Sequence, residues 1–85
     1  MSYKIELAET FAKEFSRNHK DKKEWLLRMI EKLEKDPQSG KPLRGKLHGL
    51  WQLRTGPFRV WYENEEEKRV TLRAILHKDD AKKNY

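Results

Sequence analysis

The stretch Trp51-Gln52-Leu53-Arg54-Thr55-Gly56-Pro57-Phe58-Arg59-Val60-Trp61-Tyr62-Glu63 decides the fold. On either side of Thr55-Gly56-Pro57 apolar and polar residues alternate, the period-two pattern of a half-buried strand. Gly and Pro between two such runs mark a tight turn, and so short a connection joins antiparallel strands. The first run extends back to Leu47. After Glu63 the acidic stretch 64–68 turns the chain into a third run, Arg69–His77. Three consecutive antiparallel strands are therefore expected: Leu47–Arg54, Phe58–Glu63 and Arg69–His77.

Toward the N-terminus, residues 37–46 (Pro-Gln-Ser-Gly-Lys-Pro-Leu-Arg-Gly-Lys) carry the turn signals of a loop. Before the loop, Trp25, Leu26, Met29, Ile30 and Leu33 recur at helical spacing, and Pro37 ends that helix near Asp36. Asp21 is the expected N-cap, with Glu24 completing a capping box. Glu24–Arg28 and Glu31–Lys35 are spaced as i,i+4 pairs. Phe11, Ala12 and Phe15 predict a shorter helix through about Arg17, and Tyr3, Ile5 and Leu7 alternate as a first strand. The order is β-α-α-β-β-β: an α+β domain over residues 1–85, with two N-terminal helices on one face of a small, mainly antiparallel twisted sheet.

Composition narrows the function. Charged residues make up 40% of the 85 residues, yet three Trp, three Tyr and three Phe stand among them, which favours a folded domain over a disordered polyelectrolyte. With no Cys there is neither a disulfide nor a thiolate metal site. The three His lack ligand spacing, and no metal or cofactor is expected. Neither a signal peptide nor a membrane span is expected, so the protein is read as soluble and cytoplasmic. The net charge of +6 points to an acidic partner. Residues 1–42 contribute +2 and residues 43–85 contribute +4, although Glu63, Glu65, Glu66 and Glu67 crowd around one turn of the second half.

Uninterrupted alternation sorts the strand residues into two faces. Trp51, Leu53, Phe58, Val60, Tyr62, Val70, Leu72, Ala74 and Leu76 form an apolar side, expected beneath the helices. The other side carries His48, Leu50, Gln52, Arg54, Arg59, Trp61, Glu63, Thr71, Arg73, Ile75 and His77. Arg54, Arg59 and Arg73 thus project together from three strands. Arginine forks suit phosphate oxygens, and Trp61 would offer a stacking surface for a base. Two plainer readings stand beside these: Glu63 neutralises the arginines, and Trp61 is buried by a neighbouring element or partner.

From Leu43-Arg44-Gly45 through Gly49-Leu50-Trp51-Gln52-Leu53-Arg54 to Gly56-Pro57-Phe58-Arg59-Val60-Trp61-Tyr62, the chain resembles the RelE/ParE toxin superfamily. The run Val70–Asp79 and the strand–helix–helix start agree with it. Resemblance to RelE implies metal-independent cleavage of messenger RNA on the ribosome by attack of a ribose 2′-hydroxyl on the adjacent phosphate. It also implies inhibition by a cognate antitoxin in a hetero-oligomeric complex. Carried over by position, Arg59 stabilises the phosphate, and Arg54 and Lys78 occupy basic positions around it. Tyr85 lies one residue from the family tyrosine that stacks on the substrate base. Arg73, Trp61 and Gln52 complete the candidate substrate contacts. Where the best-known members carry two lysines this chain has Leu50 and Gln52, neither of which is a base. Acid–base work would pass to Lys78 or to His77, whose ordinary pKa suits it; His77 also reads as an ordinary strand-end residue. The ParE branch, taken to act on DNA gyrase, and a degenerate member that only binds antitoxin or nucleic acid are the alternatives.

Overall fold

In a computed structural model, residues 3–65 and 68–77 are described. They form β1 (Lys4–Leu7), α1 (Glu9–Asn18), α2 (Lys23–Lys35), β2 (Lys41–Pro42), β3 (Trp51–Thr55), β4 (Phe58–Glu65) and β5 (Arg69–His77). The sheet order is β1-β5-β4-β3-β2. β1 runs parallel to β5, and every other neighbouring pair is antiparallel. The α+β architecture expected from the sequence is therefore present, with one parallel edge that closes the chain's start onto its last strand.

Three local expectations are corrected. The segment before Trp51 is not strand: Gly45–Leu47 is a 3-10 turn, and the left-handed backbone of Gly49 (φ +100°) breaks the extended run. His48 and Leu50 therefore leave the sheet face assigned to them. The loop also contributes β2, a two-residue edge strand paired with Trp51 and Gln52. Asp21 does not cap α2. It lies in a 3-10 turn, Lys20–Lys22, beside the Lys22 ammonium at 3.6 Å, and α2 begins at Lys23 without a side-chain cap. By contrast, the Glu31–Lys35 pair forms at 3.1 Å.

The helices cover one sheet face. Phe11 of α1 and Leu26, Met29 and Leu33 of α2 pack with Leu53, Val60, Tyr62, Val70, Leu72 and Ile75. Burial of each such side chain contributes about 1.5–3 kcal/mol. Ile75 belongs to this core although simple alternation puts it on the opposite side. The reason is a register shift: Trp61 pairs with Ala74 but Tyr62 pairs with Leu72, so Arg73 has no partner across β4. One extra residue in a strand reverses the facing of everything beyond it. Ala74 and Leu76 move to the uncovered face, while Ile75 and His77 join the helix side.

Tyr62 ties the sheet to the loop after α2. Its ring is fully buried, its hydroxyl donates to the Pro37 carbonyl at 2.7 Å, and it accepts from the Gly40 N–H at 3.1 Å. Gly40 is required here by space: a Cβ would stand 2.6 Å from the Gln52 carbonyl oxygen and 2.7 Å from the Tyr62 hydroxyl. Burial pushes the Tyr62 phenol above its ordinary value of 10.0.

Two predictions follow from this clasp. Tyr62→Phe leaves the buried Pro37 carbonyl and the part-buried Gly40 N–H without this partner and costs about 1–3 kcal/mol in urea denaturation at neutral pH. Because the folded phenol titrates above the unfolded one, its contribution is complete below about pH 10 and is lost as pH rises through the raised value. The stability gap between native protein and variant therefore narrows between neutral and strongly alkaline solution. Gly40→Ala drives a methyl group against backbone and destabilises by about 1–3 kcal/mol, read as a lower midpoint in the same titration.

Candidate functional site

The uncovered face is built by β3, β4 and β5. Gln52 and Arg54 come from β3, Arg59, Trp61 and Glu63 from β4, and Arg73, Ala74 and Leu76 from β5. The β3–β4 hairpin sets Arg54 directly opposite Arg59. Its turn depends on Gly56, at φ +62°. Like charges directly across a ladder repel, and such a pair brings no stability of its own. The Arg59 guanidinium relieves part of this by folding toward the hairpin end. There its Nη1 donates to the carbonyls of Phe58 at 3.0 Å and Gly56 at 3.3 Å. Those bonds orient the fork without neutralising it. Among the described residues neither Arg54 nor Arg59 forms an ion pair.

The opposite end of the same face is compensated. Arg73 Nε donates to Glu63 Oε1 at 2.6 Å, and Arg69 Nε lies 3.6 Å from Glu65. The Thr71 hydroxyl donates to Glu65 and holds that carboxyl below the usual carboxylate range, with Arg69 and Arg73 adding to the effect. Neutralisation by Glu63, one of the plainer sequence readings, is thus the state of Arg73 and of neither other arginine. The three arginines share a face, yet only Arg54 and Arg59 make a common unneutralised patch.

Trp61 stands between the two ends. Its indole is 8% exposed, and its N–H donates to Gln52 Oε1 at 2.9 Å. The expectation of an open stacking surface is corrected by this burial, since a covered ring has no free face for a base. His77 is placed on the helix side. It pairs with Phe58 in the ladder, and the two rings meet edge to face at 6.2 Å. His19 approaches Phe58 at 5.0 Å, Trp25 lies 5.9 Å away, and the Lys22 ammonium stands 5.8 Å over the ring. His77 therefore caps an aromatic cluster, and the register shift separates it from the arginine face. Lys78 and Tyr85 lie outside the described residues. Among the described residues no three His, Asp or Glu side chains gather where they could hold a metal, and no helix is long and apolar enough to cross a membrane.

On the helix side, a cleft of about 160 Å³ opens between α2 and β3. Arg28 and Lys32 of α2 and Arg54 and Thr55 of β3 line it together with Trp25, Met29 and Leu53. Sequence periodicity marked Trp25 and Met29 as core. The spacing of Arg28 and Lys32, one turn apart on α2, is the sequence signal that sets two cations beside this apolar stripe.

Comparison with known proteins agrees with this architecture. Among solved structures, the toxin–antitoxin complex RelBE2 from Mycobacterium tuberculosis contains a chain that is 22% identical, at a TM-score of 0.81. The match covers 91% of this chain and 99% of that one. The isolated RelE toxin of E. coli matches at 19% identity and a TM-score of 0.70, over 98% of both chains. The RelB–RelE antitoxin–toxin complex from Methanococcus jannaschii matches at 18% identity and 0.69, over 94% of this chain and 98% of that one. At such identities these likenesses show the fold. A comparison with curated proteins finds no match. The profile of the ParE toxin of the type II toxin–antitoxin system parDE matches residues 5–81. With nearly its whole length matched and the RelE architecture in place, the chain belongs to the ParE toxin family within the RelE/ParE superfamily.

Proposed function

We propose that this toxin is a ribosome-dependent endoribonuclease that halts translation in the cytoplasm by cutting messenger RNA. The observation that carries the reading is the Arg54–Arg59 pair: two arginines directly opposed in the ladder, neither of which forms an ion pair among the described residues. A pair that brings no folding advantage is accounted for by an anionic ligand, and guanidinium forks match phosphate oxygens. In the reaction, the ribose 2′-hydroxyl attacks the adjacent phosphorus. A 2′,3′-cyclic phosphate forms, and the 5′-oxygen leaves with a proton. Arg59, oriented by the Phe58 and Gly56 carbonyls, would offset charge on the phosphorane, and Arg54 would hold the neighbouring phosphate oxygen. Around the arginines the face presents Gln52, Trp61, Ala74 and Leu76, none of which transfers a proton at neutral pH, and its carboxylate Glu63 is engaged by Arg73. Proton transfer is assigned to Lys78, immediately after β5, in preference to His77 with its ring against Phe58.

Partners follow the same logic. Relatives of this fold have been solved as toxin–antitoxin complexes. We assign this chain a cognate antitoxin whose acidic residues meet Arg54 and Arg59, in a hetero-oligomeric complex. The cation-lined cleft beside α2, which Arg54 also borders, extends that surface for an acidic, partly apolar segment. A second functional reading, action on DNA gyrase, is favoured by the ParE profile, and it needs no proton-transfer group on the face.

Induction in a bacterial host followed by primer extension on an abundant message tests the first reading. Ribosome-dependent cuts are expected, with the largest loss in Arg59→Ala, then Lys78→Ala, then Arg54→Ala. Growth arrest without cuts, combined with lost supercoiling by purified gyrase, would establish the second reading. Glu63→Gln frees Arg73 from its ion pair. In fluorescence anisotropy with single-stranded RNA it should steepen the salt dependence of log K by about 0.7 if Arg73 then reaches a phosphate. An unchanged slope would confine the binding patch to Arg54 and Arg59.

A further inference from the structure

From the Trp61–Gln52 hydrogen bond we infer that Trp61 is a positioning residue, which turns the Gln52 amide so that its NH2 group joins Arg54 and Arg59 as a neutral donor to a bound phosphate. The inference rests on the phosphate-binding reading above. A side-chain amide has an acceptor end and a donor end, and either could face outward. An indole N–H can only donate. Its contact at 2.9 Å therefore fixes Oε1 as the atom facing Trp61 and leaves both N–H bonds of Nε2 to point elsewhere.

The backbone around this pair is held from both sides. Gln52 is paired with Trp61 on β4 and with Lys41 on β2. Its carbonyl lies where Gly40 alone leaves room, in the clasp closed by Tyr62. Trp61 is itself 8% exposed, so its indole is set by packing, whereas Gln52 keeps part of its surface in solvent. The fixed partner thus directs the freer one. Along β3, Gln52 and Arg54 are same-face neighbours about 7 Å apart, and Arg59 stands across from Arg54. A ligand phosphate at the arginine pair is within reach of an outward amide. Gln52 then supplies a donor that needs no protonation and adds no repulsion to two cations already opposed.

The test uses the full-length, 15N-labelled protein and a short 2′-O-methyl oligoribonucleotide, which cannot be cleaved. On titration, the Gln52 side-chain NH2 and the Arg59 Nε–H resonances are expected to shift along one binding curve. Trp61→Phe keeps a ring and removes the N–H, and Gln52→Met keeps the length and removes the donors. Each should weaken binding about three- to tenfold, the range of one net hydrogen bond. The double variant should be no weaker than Gln52→Met alone, because Trp61 acts through Gln52. Far-ultraviolet circular dichroism verifies folding, and Gln52→Met, a change at a partly exposed site, carries the test if Trp61→Phe unfolds. Additive losses would make Trp61 an independent contact and overturn the inference. A shift at Arg59 with none at Gln52 would also overturn it while leaving the phosphate site standing. No shift at Arg59 would remove the phosphate site and the inference together.

Discussion

Arg73 sits in β5 with no partner across β4, and the two faces of the sheet are sorted by that single extra residue. Nine consecutive residues of β5 must serve a core whose apolar positions, Val70, Leu72 and Ile75, do not keep a period of two. A flat ladder would bury Ala74 and expose Ile75. The bulge instead lets the strand change phase midway, so that both halves give their branched side chains to Phe11, Leu26, Met29 and Leu33. It also leaves Arg73 beside Glu63 and turns His77 toward Phe58. Core, charge pattern and aromatic cluster all follow from one register.

The uncovered face then divides into two electrostatic regimes. Near the β4–β5 turn, Glu63 and Glu65 hold Arg73 and Arg69, and the hydrogen bond from Thr71 favours the ionised form of Glu65. Near the β3–β4 turn, Arg54 and Arg59 stand opposite in the ladder, and among the described residues Arg59 donates to backbone carbonyls alone. Exposed ion pairs add little to stability, so the division matters more for where an anion can settle than for holding the fold. Tyr62 links the two subjects. Its clasp on Pro37 and Gly40 secures β2 against β3, and β3 carries both Gln52 and Arg54.

Much of this was legible in the residues. The hairpin around Gly56, the three-strand run and the helical stripe ending at Pro37 are local signals, and local signals read well without tertiary context. The Asp21 cap failed because its backbone closed into a 3-10 turn, a choice that depends on how α1 meets α2. Gly49 falls inside a run that reads as strand, whereas its left-handed backbone makes it a break. The face assignment of Ile75 and His77 failed for a deeper reason. A bulge is settled by the fit between strands and helices, and nothing in Leu72-Arg73-Ala74-Ile75 announces it. At the site, composition and alternation found Arg54, Arg59, Gln52 and Trp61. They could not say that Trp61 is covered, nor which end of the Gln52 amide it engages, because both depend on packing across strands.

The parallel pairing of β1 with β5 bears on how the molecule comes into being. Lys4 is matched with Arg69 and Leu7 with Leu72, so the ladder partner of β1 lies far along the chain, in β5. During synthesis the hydrogen-bonding groups of β1 that face β5 stay solvated until β5 has been made. A contact so distant along the chain brings a large loop-closure cost and slows the final step of folding. The arginine face, whose outer strand is that same β5, is assembled at the same late moment. A nascent fragment that stops short of β5 therefore lacks one wall of its core and one strand of the arginine face.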